Sequence, residues 1–404
     1  MTLQSVIDRI DRSREEMVSS LIEMCKIPSI HPDSGGDGES ERAKFLADLC
    51  GKLGLPVRSV DAPDDRVSSG VRPNLLVELD GEQDTKIWIV SHTDVVPAGN
   101  SKHWDTDPFD PMVKDGKIFG RGVEDNGQSL IGSIYALWAV KEEGGKPDLG
   151  CGLALVADEE VGSKLGIQYL LEKGIFNPGD LILVPDFSSS DGTDVEIAEK
   201  NILWLRMTTE GKQSHASLPH KGINAFRAGS ELLLMIDREL HDRFTGKNEI
   251  FDPPISTFEP TKKNSNVPNV NTVPGKDVFY FDCRILPEFH PDEIRATVRS
   301  LADQVEQKSN VKVKIDIIQD EMSPATKEDS EIVMRLKNAI KSVRGVEPKM
   351  IGVGGGTCAA YFRQKGLDAC VWFTGDQTAH AANEYCKIDN LVQDAKVFAS
   401  VFIS

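Results

Sequence analysis

The chain has 404 residues, of which 39% are hydrophobic and 27% are charged, as is ordinary for a folded globular protein. This length exceeds what one hydrophobic core usually organises, so we expect two domains. A formal net charge of −18 argues against nucleic acid and against anionic membrane surfaces as partners, because both attract basic proteins.

The sequence predicts a cytoplasmic protein. No run reaches the roughly 18 apolar residues that span a membrane. The first residues carry charges at helical spacing and lack the apolar region of a secretory signal. The seven cysteines are odd in number and show no CxxC spacing, which favours free thiols in a reducing compartment.

The first 195 residues alternate strand-like runs with helical stretches. An amphipathic helix opens the chain, and its apolar face carries Leu3, Val6, Ile7 and Ile10. Further helices are predicted over 41–53, 127–143 and 163–173. Strands are predicted over 74–79, 86–91, 151–157 and 181–184. Such alternation predicts an α/β layered domain with a mainly parallel sheet.

After residue 195 the order of the predicted strands and helices changes. A long strand-like segment over 195–209 is followed by helices near 222–243 and 291–307 and by strands at 277–284 and 311–318. This order predicts a smaller α+β domain, a sheet with helices, inserted into the first. After it, a helix at 329–343 and the short elements of 350–404 resume the first pattern. We therefore predict a discontinuous catalytic domain over 1–196 and 313–404 and an inserted dimerisation or lid domain over 197–312.

Five stretches place a histidine or an acid where a predicted strand or turn ends. In SHTDVVPAG, His92 and Asp94 stand two residues apart, so both side chains face one side of a strand. Open α/β sheets bind ligands at that end of their strands, although a capping pair is the alternative. The other stretches are GRGVEDNG with Asp125, VADEEVG with Glu159 and Glu160, VPDFS with Asp186, and TAHAANEY with His380.

Each of these residues has an ordinary structural alternative, such as a helix N-cap for Asp125 or a solvated turn for the two glutamates. Together, two histidines and several carboxylates form a mixed nitrogen and oxygen donor set. Such a set suits Zn²⁺, Co²⁺ or Mn²⁺ better than Ca²⁺ or Mg²⁺. A shared carboxylate would hold two ions about 3.5–4 Å apart. The pattern therefore predicts a metal centre.

An ordered set of motifs, spread along nearly the whole chain, resembles a known family. The motifs are SHTDVVPAG, GRGVEDNGQ, DEEVGS, HASLPHKGINA, NTVPG, DCRILP and AHAANEY. With them the chain resembles the dinuclear zinc amidohydrolases and metallopeptidases that include acetylornithine deacetylase, succinyl-diaminopimelate desuccinylase, aminoacylase and carboxypeptidase G. The resemblance implies two Zn²⁺ ions, with Co²⁺ or Mn²⁺ as possible substitutes, and amide hydrolysis in amino-acid biosynthesis.

The resemblance also implies which residues bind the ions. His92 and Asp186 would bind one ion. Glu160 and His380 would bind the other, and Asp125 would bridge the two.

Two further roles follow from the same resemblance. Asp94 would sit behind His92 and fix the orientation of its ring. Glu159 would be the general base, taking a proton from the bridging water, which attacks the amide carbonyl as hydroxide, and passing it to the leaving nitrogen. The peptide bond between Asp125 and Asn126 would be cis, as it is in this family.

The inserted domain would supply residues that contact the substrate. His215, in GKQSHASLPHKGINA, resembles the histidine that stabilises the oxyanion of the tetrahedral intermediate. Asn271 and Arg284 match positions that hold a substrate carboxylate, for which arginine offers two parallel hydrogen bonds. A loop histidine and an ordinary surface charge are the alternatives for His215 and Arg284.

The loop GVGGGTCAA over 352–360 lacks the lysine or the acid of a nucleotide-binding loop. We expect an anion-cradling turn before a helix, in which Gly355, Gly356 and Thr357 bind the substrate carboxylate. The loop departs from desuccinylases and carboxypeptidases where it has Cys358, Ala359 and Ala360. The identity of the acyl group is therefore open.

The sequence thus predicts metal-dependent hydrolysis of the amide bond of an N-acyl amino acid. A dipeptidase or a glutamate-type carboxypeptidase with the same centre is the alternative. A non-catalytic binding protein is disfavoured, since Glu159 and every ligand are present. In this family a single small insertion generally forms the dimer contact, so we expect a homodimer in which His215 acts across the interface.

Overall fold

The computed structural model describes residues 2–403 of the chain. The α-helices of this range are α1 (Leu3–Arg12), α2 (Arg14–Cys25), α3 (Ser40–Lys52), α4 (Ser129–Glu142), α5 (Ile167–Glu172), α6 (Ala225–Arg243), α7 (Pro291–Ser309), α8 (Glu331–Arg344), α9 (Ala359–Gln364) and α10 (Ile388–Ile403). The β-strands are β1 (Val57–Pro63), β2 (Val71–Leu79), β3 (Lys86–His92), β4 (Met112–Lys114), β5 (Lys117–Phe119), β6 (Gly150–Val156), β7 (Leu181–Ser189), β8 (Asp194–Glu199), β9 (Asn201–Glu210), β10 (Ser214–His215), β11 (Thr257–Lys263), β12 (Thr272–Val273), β13 (Lys276–Ile285), β14 (Lys312–Glu321), β15 (Lys349–Val353), β16 (Ala369–Thr374) and β17 (Tyr385–Lys387). These elements form two compact units.

The larger unit consists of the residues up to Ile197, Thr326–Ile351 and the residues from Thr357 on. It contains a sheet in the order β1-β2-β6-β3-β7-β16-β8-β15. The central strands β6, β3, β7 and β16 run parallel, and the antiparallel pairs lie towards the edges. Helix α4 packs on β3 and β6, and α8 and α9 pack on β7 and β16. This confirms the predicted α/β fold with a mainly parallel sheet.

Strand β3 positions the candidate site. Residues 87–92 are all buried, so both faces of the strand are covered, as a central parallel strand requires. Its neighbours are β6 and β7, and His92 is paired with Val156 at the end of β6. Because these parallel strands end at the same edge, the residues that follow them are brought together there.

The smaller unit consists of Ala198–Ala325 and Gly352–Gly356. Its four-stranded sheet is antiparallel, in the order β11-β13-β9-β14. Helices α6 and α7 pack against each other and against this sheet. One buried core joins Leu232 of α6 and Val298 of α7 to Phe281 of β13. This is the α+β arrangement that the changed rhythm of the sequence predicted.

The limits of the smaller unit differ from the predicted span of 197–312. Strand β14 begins at Lys312 and pairs with β9, so the unit continues to Ala325. Gly352–Gly356 also joins it, since the N–H of Lys200 donates to the carbonyl of Val353. Apolar alternation marks a strand but does not show which sheet it joins. That choice depends on pairing with a strand far away in the sequence.

The opening segment forms two helices. Helix α1 buries Val6 and Ile10 of the predicted apolar face and ends at Arg12. Ser13 separates it from α2. No helix within residues 2–403 combines the length and the apolar character that crossing a bilayer requires.

Candidate metal centre

Three neighbouring parallel strands bring most of the predicted centre to one edge of the large sheet. His92 is the last residue of β3. Glu159 and Glu160 begin a short helical turn soon after β6. Asp186 lies within β7 rather than beyond its end. Because β6, β3 and β7 are adjacent, these four side chains meet in one place.

Asp125 and His380 reach the same place from outside these strands. Asp125 lies in the segment Val123–Gln128 that leads into α4, and its peptide bond to Asn126 is cis, as the family resemblance implies. It does not cap α4, because the N-cap position is Gln128. His380 lies between β16 and β17 with a left-handed backbone, φ 62°.

The carboxylate of Asp125 lies at the middle of the cluster. Its Oδ1 is 2.8 Å from Nε2 of His92, and its Oδ2 is 3.0 Å from Nε2 of His380. Nε2 of His92 is also 3.4 Å from Oδ1 of Asp186. Nε2 of His380 is also 3.0 Å from Oε2 of Glu160. The two oxygens of one carboxylate therefore face two different histidines, each with a second acid beside it.

The donor atoms fit divalent ions. Ligand atoms of His92, Glu159 and Asp186 lie within 4.8 Å of one another, and so do those of His92, Asp125 and Glu160. Imidazole nitrogens with carboxylate oxygens are a donor set that Zn²⁺, Co²⁺ and Mn²⁺ accept. Several acidic side chains lie close together in this largely buried cluster. Their negative charges need positive charge nearby, which bound cations would supply.

The pKa values of the cluster point to the same need. Burial raises the pKa of Glu159 well above its usual range, and the carboxylate of Asp186 adds to the rise. Burial likewise raises the pKa of Glu160 and of Asp186. Burial opposes protonation of His92, but its contact with Asp125 raises the pKa of His92 well above the usual value. A divalent ion reverses this balance, because it stabilises the ionised carboxylates beside it.

Asp94 does more than the sequence predicted. Nδ1 of His92 lies 3.0 Å from the backbone carbonyl oxygen of Asp94 and 3.5 Å from its Oδ1, which turns Nε2 into the cluster. The buried Asp94 carboxylate also accepts the backbone N–H groups of Glu159 and Glu160, at 3.1 and 3.0 Å. One side chain therefore orients both the histidine and the turn that carries the two glutamates.

Sequence reasoning missed two buried groups of the centre. Nδ2 of Asn126 donates to the carbonyl of Pro185 at 2.7 Å and to Oδ1 of Asp186 at 3.2 Å. Glu384, whose pKa is raised by burial to about 7, accepts the backbone N–H of Asp125 at 3.0 Å. Both residues stand inside quoted motifs, GRGVEDNG and AHAANEY, so a signal was present. Their partners, however, are distant in the sequence.

In the smaller unit, the structure places His215 beside Asn271. His215 lies on β10 and pairs with Thr272 of β12. The N–H of Ala216 donates to the carbonyl of Asn271 at 2.8 Å. The imidazole of His215 is exposed, and its Nδ1 lies 2.7 Å from Oγ of Ser217.

Arg284 is tied to the glycine-rich loop within the same unit. Its Nη1 donates to the carbonyl of Gly354 at 2.9 Å. Its Nε and Nη2 contact the two carboxylate oxygens of Asp282, at 2.8 and 3.2 Å. The arginine predicted to bind a substrate carboxylate therefore already has a carboxylate partner on its own strand.

The glycine-rich loop divides between the two units. Gly355 and Gly356 are exposed residues of the smaller unit. Thr357 belongs to the larger unit, where its Oγ1 accepts the N–H of Ala359 at 3.2 Å as α9 begins. The expected turn before a helix is present.

A cavity of about 160 Å³ opens beside the cluster in the larger unit. It is lined by Glu124, Asp125, Asp186, Phe187, Phe373, Gln377 and Ala379. The lining joins acids to two aromatic rings and contains no lysine, arginine or histidine.

The sequence and the fold match known proteins. A family described as peptidase family M20/M25/M40 matches residues 88–404. An uncharacterized metallohydrolase of Methanococcus maripaludis is 37% identical over 408 residues, which cover 96% of this chain and 98% of the relative. A succinyl-diaminopimelate desuccinylase of Nitratiruptor sp. is 25% identical over 396 residues, which cover 96% of this chain and all of the relative. The solved structure of aminopeptidase PepT from Bacillus cereus matches with a TM-score of 0.78 at 19% identity, covering 96% of this chain and 98% of that one.

Proposed function

Because this chain belongs to peptidase family M20/M25/M40 and is a metallohydrolase, we propose that it hydrolyses the amide bond of an N-acyl amino acid. The reaction would be of the succinyl-diaminopimelate desuccinylase or acetylornithine deacetylase type, as the desuccinylase relative suggests. One observation carries the proposal: the two oxygens of Asp125 face His92 and His380 separately. A carboxylate placed in this way is suited to bridge two ions.

The distances within the cluster support an assignment of the ligands. His92 and Asp186 would bind one ion. Glu160 and His380 would bind the other, and Asp125 would bridge them. The ions would be Zn²⁺, with Co²⁺ or Mn²⁺ as substitutes, because these metals accept imidazole and carboxylate together.

Glu159 would act as the general base. The bound ions would polarise the amide carbonyl and lower the pKa of water from about 15.7 towards 7. Glu159 would accept the proton of that water and deliver it to the leaving nitrogen. Its ligand atom lies within 4.8 Å of those of His92 and Asp186, and the Asp94 carboxylate holds its backbone N–H.

The predicted residues of the smaller unit and its loop would complete the reaction. His215 would donate a hydrogen bond to the oxyanion of the tetrahedral intermediate. Asn271 beside it would bind the substrate. Arg284 and the loop with Gly355, Gly356 and Thr357 would hold the substrate carboxylate through side-chain and backbone N–H groups.

A dipeptide or another short peptide is the second candidate substrate, and the 160 Å³ cavity favours it. Without a cationic side chain, this lining offers no positively charged partner to a succinyl carboxylate. The rings of Phe187 and Phe373 suit an apolar side chain beside the scissile amide instead.

We also propose a homodimer formed through the smaller unit. Strand β14 is an edge of its sheet, and Ile317 and Ile318 on it are each 50% exposed. Pairing two such edges would cover apolar side chains and remove a site of aggregation. A cytoplasmic location fits the seven cysteines, all of which are buried and none of which forms a disulfide.

A substrate panel with controlled metal content tests the proposed reaction. The protein is stripped with a chelator, its metal content is checked by elemental analysis, and N-acetyl and N-succinyl amino acids and dipeptides are assayed. Stripping should abolish hydrolysis, and Zn²⁺ or Co²⁺ should restore it, with N-acyl amino acids turned over fastest. Full activity in the stripped protein contradicts the metal-dependent reaction. Faster turnover of dipeptides favours the second candidate.

A further inference from the structure

Two buried glutamates outside the proposed ligand set connect the segment of Asp125 with the loop of His380. One is Glu124, which precedes Asp125, and the other is Glu384, which follows His380 in the same motif. Their exposed fractions are 1% and 0%. A buried carboxylate is costly unless hydrogen bonds compensate it, so the partners of these two acids show what they stabilise.

Glu384 accepts four hydrogen bonds from the segment that carries Asp125. Its Oε1 accepts the backbone N–H groups of Glu124 and Asp125, at 2.9 and 3.0 Å. Its Oε2 accepts the backbone N–H of Gly122 at 3.1 Å and Nη1 of Arg121 at 2.6 Å. Charge-assisted bonds of this kind are stronger than neutral ones and fix the directions of the peptide groups. Glu384 therefore holds the backbone from which Asp125 projects.

Glu124 forms the reverse connection, to the loop that carries His380. Its Oε1 accepts the backbone N–H of Asp376 at 2.7 Å. Its Oε2 accepts both the backbone N–H and the hydroxyl of Thr378, the hydroxyl at 2.6 Å. In this loop Gln377 and His380 have φ values of 57° and 62°, which are unfavourable for residues with a Cβ. Contacts must hold such a loop in its shape, and Glu124 provides three of them.

We infer that Glu124 and Glu384 form a reciprocal clamp that fixes the position of Asp125 relative to His380. Each of the two loops gives one carboxylate to the other and receives one in return. The inference rests on the proposed two-metal centre, in which these glutamates are positioning residues and bind no ion themselves. Because Asp125 is shared by both ions and His380 belongs to one, the two halves of the clamp have different consequences.

The Glu384→Gln variant should weaken the binding of both ions. A glutamine side chain keeps one acceptor oxygen and turns an NH₂ group towards N–H donors, and it leaves the buried Arg121 without its anion. The segment of Asp125 then loses its fixed direction. Changes to groups that orient metal ligands typically cost about 10–100-fold in metal affinity. We expect a loss in this range at both sites.

The Glu124→Gln variant should weaken only the ion held by Glu160 and His380. The Thr378→Val variant keeps the backbone N–H bond to Glu124 but removes the hydroxyl, which contacts Glu124 and also the backbone of Tyr385. It should have the same effect in weaker form. The Thr378→Ser variant keeps that hydroxyl and should bind both ions as the unmodified protein does.

Zn²⁺ titration of the stripped proteins, in competition with a chromophoric chelator, measures the two dissociation constants without using activity. Asp180→Asn is the matched control. Asp180 is also buried and accepts three N–H groups, from Lys86, Trp88 and Asn177. It directly precedes β7 and contacts the beginning of β3, whereas His92 is the last residue of that strand.

The outcomes separate the clamp from the metal centre itself. Weaker binding at both sites in Glu384→Gln, with both constants unchanged in Asp180→Asn, supports the clamp. Unchanged constants in Glu384→Gln, or the same loss in the control, overturn it. If the unmodified protein binds fewer than two ions, the proposed metal centre fails instead. If Glu384→Gln does not fold, the threonine pair decides, because equal constants for Thr378→Val and Thr378→Ser overturn the clamp.

Discussion

At the scale of single residues, neighbours in the sequence take different chemical positions. The backbone N–H groups of Glu159 and Glu160 both bind the carboxylate of Asp94. From that shared anchor the side chains diverge. Glu160 Oε2 lies 3.0 Å from Nε2 of His380, whereas Glu159 groups with His92 and Asp186. The proposed roles, ligand for Glu160 and general base for Glu159, rest on this divergence.

Substitution of each glutamate by glutamine distinguishes these roles. Glu159→Gln should keep both ions and lose roughly 10²–10⁴-fold in kcat, the usual contribution of general acid–base catalysis. Glu160→Gln should instead lose one ion, because an amide is a poorer metal ligand than a carboxylate. Elemental analysis and steady-state kinetics on the purified variants measure both effects. Equal metal loss in the two variants would contradict the assignment.

The motifs predicted the residues that the structure brings together and Asp94 behind them, but not the other groups that hold them. His92 and Asp186 could be named as candidate ligands because a histidine and an aspartate beside strand ends are typical of metal sites. Asn126 and Glu384 stand inside the same motifs, but a buried amide or carboxylate shows its role only through its partners, which here are distant in the sequence. The pairing of Arg284 with Asp282 had a visible signal, since residues two apart on a strand share one face.

At the scale of elements, apolar runs predicted the central strands well. The expected strands at 74–79, 86–91, 151–157 and 181–184 correspond to β2, β3, β6 and β7. The segment over 195–209 was predicted as one strand, but it forms β8 and β9, which belong to different sheets. The break falls at Lys200, whose buried Nζ donates to the carbonyls of Pro253 and Ile255. Local sequence shows no interruption there, because both pieces have strand character.

Strands β3 and β6 meet at a contact that tolerates no added atom. Gly152 of β6 pairs with Trp88 of β3, and a Cβ on Gly152 would lie 2.4 Å from Cε3 of the indole. The ring is held by a hydrogen bond from its Nε1 to Asp180 at 2.9 Å and by edge contact with Phe176. We therefore expect Gly152→Ala to lower the free energy of unfolding by about 1–3 kcal/mol, the usual cost of overpacking.

Urea denaturation of Gly152→Ala and of Gly51→Ala measures this effect against a control. Gly51 lies exposed in α3, and no atom beyond its chain neighbours and the backbone of its own helix lies within 4 Å of an added Cβ. There alanine should raise the free energy of unfolding by roughly 0.5–1 kcal/mol, because it lowers the entropy of the unfolded chain and favours helix. Equal stability changes in the two variants would mean that the indole moves aside.

At the scale of the whole molecule, the presence of an inserted domain could be predicted better than the residues at which it begins and ends. The change of rhythm near residue 195 indicated an insertion, and the chain does pass from the larger unit to the smaller one between Ile197 and Ala198. The predicted re-entry of the chain into the larger unit at residue 313 is too early, because β14 still pairs with β9 of the smaller unit. The unit nevertheless consists of one four-stranded sheet, the short pair β10 and β12 and two long helices, which is the size of insertion expected to pair with a second copy.

A complementation experiment tests the proposed homodimer and the site at which His215 acts. His215→Ala and Glu159→Gln proteins should each be inactive, since one lacks the oxyanion donor and the other the base. If His215 acts in the partner's centre, a mixed dimer contains one centre that lacks both groups and one that is intact. Random exchange of subunits should then restore about a quarter of the unmodified activity.

Sedimentation equilibrium checks that the proteins are dimers, and differently tagged subunits prove the exchange. Proven exchange without recovered activity would mean that His215 does not act in the partner's centre. A monomer in sedimentation equilibrium would contradict the proposed homodimer itself.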